Sequence, residues 1–93
     1  VARDEQRRAV QEQRRTLCER YDRLTARERQ VFLHVSAGRL NKQIAADLGA
    51  SERTIKAHRA QVMEKMAARS LADLVRAADK LSMSLPNDIR YQR

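Results

Sequence analysis

The sequence predicts an all-α protein, a small four-helix domain preceded by one further helix. Three observations lead there. Turn-formers and aromatic strand-formers are scarce, with 2 Gly, 1 Pro and 3% aromatics in 93 residues, while Ala, Leu, Arg, Gln and Glu, which favour helices, abound. Apolar residues between Leu24 and Leu81 recur at three- and four-residue intervals, the period of a helix with one buried face. Residues that start and stop helices punctuate that pattern.

Residues 1–23 hold no Gly or Pro and carry acid-to-base pairs at four-residue spacing, such as Asp4 to Arg8 and Glu19 to Arg23. They read as a solvated linker helix. Val10, Leu17, Tyr21 and Leu24 fall near heptad spacing, which leaves a short dimerising seam open as an alternative.

The domain proper is expected over residues 24–81. Thr25 to Glu28 fits a capping box with Leu24 as a hydrophobic staple, Val31, Phe32 and Val35 mark one buried face, and Gly38 supplies the stop. Asn41 is expected to cap the second core helix, whose apolar residues Ile44, Ala45 and Leu48 recur at three- and four-residue intervals before Gly49 ends it. After a three-residue turn, Ser51 caps a third core helix reaching about Ala67. At about 100° per residue, Ile55, Val62 and Met66 share its core line. Arg53, Ala57, Ala60 and Glu64 lie opposite, with Lys56 and Gln61 at the flanks. A capping box from Ser70 to Asp73 opens the fourth core helix, whose stripe is Leu71, Leu74, Val75, Ala78 and Leu81. Residues 82–93 lose periodicity around Pro86-Asn87 and read as a flexible tail.

The segment 41–60, NKQIAADLGASERTIKAHRA, therefore has the layout of a helix-turn-helix, whose second helix is built to enter a DNA major groove. Charge supports a polyanionic partner. The net charge is +8, from 20 Lys and Arg against 12 Asp and Glu. Residues 24–69 carry nine bases against four acids, residues 1–23 seven against five, and residues 70–93 four against three, so the excess lies on the motif. Cations and amides donate to phosphates and base edges, and small alanines let the backbone come close; Glu64 fits only where the helix has left the groove.

Other chemistry has little support. The single Cys18 cannot form an intramolecular disulfide or a cysteine-rich zinc site, and no apolar run has the length of a membrane span or a signal peptide. Cys18, His34 and His58 show no catalytic or metal-ligand spacing, so no enzyme activity, metal or cofactor is expected. The chain begins at Val1 rather than Met, as expected for a fragment of a longer protein.

The run Leu24 to Ala78 resembles the output domain of LuxR/FixJ-type transcriptional regulators. The resemblance rests on Leu24-Thr25 with Glu28-Arg29, Gly38, Asn41-Lys42, Ile44-Ala45, Leu48, Ser51, Thr54-Ile55-Lys56, His58 and Lys65-Met66 in order. His58 to Met63, with Lys65-Met66 and Ser70-Leu71, is similar to the FixJ branch in particular, which includes regulators of aromatic-compound catabolism. The resemblance implies a LuxR-type four-helix domain with its third core helix in the major groove. It further implies that Lys56, Ala57 and Ala60 face base edges, while Arg53, Thr54, His58 and Arg59 lie near the phosphate backbone. Two of the three base-facing positions are Ala, where relatives carry longer polar residues; methyl contact to thymine is the obvious use.

The implied protein is a two-component response regulator. This chain lacks the strand-helix alternation of a receiver domain, and residues 1–23 would be the interdomain linker. Double-stranded promoter DNA is the expected partner, bound by a homodimer, with RNA polymerase a further candidate partner. Asn41, Lys42 and the Arg53 to Gln61 face would make the contacts, and Leu71, Leu74 and Val75 the dimer interface. The expected location is the bacterial cytoplasm, on the nucleoid when bound. A helical protein-interaction module that keeps the fold without binding DNA is the alternative.

Overall fold

A computed structural model describes the backbone of residues 2–84 and the side chains of residues 5–81. Among the described residues there are five helices and no strands: α1 (Ala2–Asp22), α2 (Ala26–Ser36), α3 (Asn41–Leu48), α4 (Glu52–Lys65) and α5 (Leu71–Ser84). α2 and α3 both pack against α4, and α5 closes the bundle against α1 and α2.

Local chemistry sets most of the boundaries. The capping box at α2 forms as expected: Thr25 Oγ1 accepts from the Glu28 N–H at 3.1 Å, and Glu28 Oε1 accepts from the Thr25 N–H at 3.0 Å. α3 ends because Gly49 adopts φ 66°, a left-handed conformation that costs Gly nothing and sterically penalises a side chain. At α4, Ser51 Oγ accepts from the Thr54 N–H at 3.0 Å. Ser51→Ala should therefore cost about 1 kcal/mol in urea-induced unfolding. α4 stops at Lys65, two residues short of the expected end. Ala67 takes φ 53°, letting the Ala68 N–H reach back to the Met63 carbonyl at 2.9 Å. Gly signalled the earlier stops, whereas here an Ala adopts the same conformation.

One core joins the helices. Val31, Phe32 and Val35 of α2, Ile44 and Ala45 of α3, and Ile55, Val62 and Met66 around α4 are all buried, each on the face its spacing assigned. The core also reaches back before Leu24. Tyr21, in the last turn of α1, is 1% exposed and meets Phe32 with ring centroids 5.9 Å apart, while the Arg29 guanidinium covers its ring at 4.7 Å. Leu17 and Cys18 pack against the same cluster. The heptad-like seam is thus used up by the chain's own core from Leu17 onward, and only Val10 stays outward, at 45% exposure.

The fourth core helix brings two corrections. Leu74 is fully buried, because its position on the stripe points at the core, so it leaves the set of outward-facing interface candidates; Leu71 and Val75 remain exposed. The helix also continues through Ser84, beyond the tail boundary set at residue 82. Residues 85–93, the rest of the expected tail, lie outside the described residues.

Candidate nucleic-acid interface

α3, the turn at Gly49 to Ser51, and α4 form the site. The core line of Ile55, Val62 and Met66 seats α4 between α2 and α3, which turns the opposite side outward. Arg53, Lys56, Ala57, Ala60 and Gln61 are exposed there, and Lys42 is exposed on α3. Thr54 is exposed as well, its Oγ1 accepting from Ser51 Oγ at 2.9 Å, which ties it to the cap.

His58 and Arg59 are half-buried and flank the core line on opposite sides. His58 lies toward α2, close enough to Glu28 to favour its carboxylate form. Arg59 lies toward α3, where its Nη1 donates to Asn41 Oδ1 at 3.1 Å. This corrects the role of Asn41 as a helix cap. Leu40 occupies the cap position, its N–H is taken by Gln43 Oε1 at 2.9 Å, and the Asn41 carboxamide is engaged with α4 instead.

Four ion pairs among the described residues lie off this face. Arg29 pairs with Asp22, Arg39 with Asp47, Arg76 with Asp73 and Lys65 with Glu28. Among the described residues, Lys42, Arg53, Lys56 and Arg59 make no ion pair. These cations stay out of salt bridges around the place where the small side chains of Ala57 and Ala60 allow close approach.

Three supporting contacts leave no signal in the helical spacing of the sequence. Lys65 Nζ meets Glu28 Oε1 at 2.7 Å, joining the end of α4 to the start of α2. Burial pushes the Glu28 carboxyl up, but the Lys65 hydrogen bond, the Thr25 N–H and the charges of Lys65 and His58 outweigh it and hold the group below its ordinary value. Arg27 Nη1 donates to the Leu48 carbonyl at 3.2 Å, holding the last turn of α3 where the reversal begins. Arg39 and Asp47 brace α3 from the preceding loop. These partners lie far apart in sequence or on different elements, and helical spacing reports only neighbours within one helix.

Two packed helices joined by a tight turn, with an outward cationic face on the second, define a helix-turn-helix domain. The particular family follows from comparison. Residues 22–78 match the family described as bacterial regulatory proteins, luxR family, and the chain belongs to it. That family consists of transcription regulators rather than enzymes. The chain is 45% identical over 82 residues to nodulation protein W of Bradyrhizobium diazoefficiens, covering 88% of this chain and 36% of that protein. It is 56% identical over 59 residues to the transcriptional regulatory protein FixJ of Rhizobium meliloti, covering 63% of this chain and 29% of that one. A solved structure of the response regulator StyR superposes with a TM-score of 0.72 at 43% identity, over 85% of this chain and 38% of that one. The chain thus spans about a third of the length of these relatives. No helix among the described residues is long and apolar enough to cross a membrane.

Proposed function

We propose that the chain is the sequence-specific DNA-binding output domain of a bacterial response regulator, with α4 placed in the major groove of promoter DNA. The observation that carries this is the group of unpaired cations, Lys42, Arg53, Lys56 and Arg59, around a slender alanine-bearing helix face. Fourteen residues make α4 about 21 Å long, and the major groove, about 12 Å wide, admits a helix of that kind. Lys56, Ala57 and Ala60 face base edges; Arg53, Thr54, His58 and Arg59 serve the phosphates, with Lys42 and Gln61 at the margins and Asn41 behind Arg59.

A homodimer on paired half-sites fits the family, and the exposed Leu71 and Val75 on α5 are the interface residues. The protein works in the cytoplasm on the nucleoid, with RNA polymerase a further partner of the bound form.

Selection of duplexes from a random library supplies the cognate site for the test. Lys56→Ala should weaken cognate binding about tenfold and relax one base preference, whereas Arg53→Ala should weaken cognate and random duplexes alike and lower the salt slope by about one. Equal losses on both duplexes for Lys56→Ala would remove its base-reading role. An absence of retention on duplex DNA at low salt would instead favour a helical interaction module.

A further inference from the structure

The contact between Arg59 and Asn41 is the one polar side-chain link between α3 and α4 among the hydrogen bonds described. We propose that Asn41 is a positioning residue for DNA binding, acting through Arg59 and making no contact of its own with the duplex. This rests on the DNA-binding reading above.

Several observations lead to it. Arg59 is half-buried, has no carboxylate partner among the described residues, and donates one N–H to Asn41 Oδ1 at 3.1 Å. A guanidinium has five such donors, so most of the fork is left for a further acceptor. The location is also electrostatically adverse for a resting cation. Asn41 is the first residue of α3, and a helix begins at its positive end, where cations are disfavoured. Holding Arg59 there concentrates two positive features on one spot beside the exposed Lys42, an arrangement that favours an arriving phosphate. Asn41 does this without neutralising the charge, as an Asp at the same position would. A neutral acceptor orients the fork and keeps its field.

The gain is preorganisation. An arginine already fixed before the encounter loses less rotamer freedom when it meets a phosphate. Truncating Asn41 should therefore reduce affinity by about three- to tenfold through the ordering of one long side chain.

The experiment is a double-mutant cycle on duplex affinity with wild type, Asn41→Ala, Arg59→Ala and the double variant, using the selected duplex and a random one, with thermal unfolding of each protein. Asn41→Ala should weaken binding in the wild-type background on both duplexes, and should have no further effect once Arg59 is alanine. The melting temperature should stay within about 2 °C throughout, since both residues lie outside the core. Equal losses from Asn41→Ala in both backgrounds would show direct contact with DNA and overturn the proposal, as would undiminished binding by Asn41→Ala. A large fall in melting temperature would make the contact structural and overturn it too. If the wild-type chain itself fails to bind either duplex at low salt, the DNA-binding reading fails as well.

Discussion

Ala60→Glu is expected to abolish recognition of the selected duplex while leaving the domain folded. Ala60 is exposed on α4 and outside the core cluster, and Glu is a good helix former, so unfolding in urea should shift by less than about 0.5 kcal/mol. Binding should respond very differently. The change puts a carboxylate and a longer stem between Ala57 and Glu64 on the side proposed to approach the bases, where methyl groups now allow close contact. A lost close approach and a repelled phosphate backbone together should lower affinity by about 100-fold or more. Band-shift titration at fixed salt measures it. Retained affinity in a folded Ala60→Glu variant would show that this side of α4 lies outside the interface.

Glu28→Ala should destabilise the domain by about 3 kcal/mol, a value between an N-cap loss with an exposed ion pair and the breaking of a buried one. The acid is 5% exposed and serves two elements, accepting from the Thr25 N–H and from Lys65 Nζ. Lys65 is partly solvated, which keeps the cost below that of breaking a fully buried pair. Glu28→Gln preserves an acceptor for Thr25 and loses the charge, so it should lie between wild type and Glu28→Ala.

The pH dependence has a definite sign. Because the native carboxyl is held below its ordinary value of 4.5, Glu28 contributes stability that is present above that value and lost as pH falls through the native one. Wild-type stability should drop on acidification below about pH 4.5, and the Glu28→Ala profile should be flatter there. Asp73 is held down by the Arg69 N–H and by Arg76, and adds a smaller slope of the same sign from a half-buried site. An unchanged acid profile in Glu28→Ala would remove the linkage assigned to the Glu28–Lys65 pair.

Much of this architecture is legible in the chain. Caps at Thr25 and Ser51, the left-handed Gly49 and the core lines of α2, α3 and α4 all follow from interactions within a few residues, which sequence records directly. The exposure of Arg53, Lys56, Ala57 and Ala60 was legible for the same reason, because once the core line is known the opposite face is determined. The end of α4 was harder. An Ala at positive φ leaves no signature in composition, since only the packing of Met66 and the Met63 carbonyl makes that conformation worth adopting.

What the sequence by itself determined was which residues form helices and which side of each is apolar. Those properties depend on neighbours three or four residues away. The tertiary structure decided where polar side chains with more than one available partner were spent. Asn41 was free to cap α3, yet Leu40 took the cap position with its N–H held by Gln43, and Arg59 captured the carboxamide across 18 positions. Glu28 closed a local capping box and also met Lys65 across 37. Tyr21 and Leu17 shared a seam that two chains could have used, and the core of their own domain took it. Hydrogen-bond acceptors and apolar faces have no intrinsic preference among distant partners, so only the packed geometry of the five helices selects one.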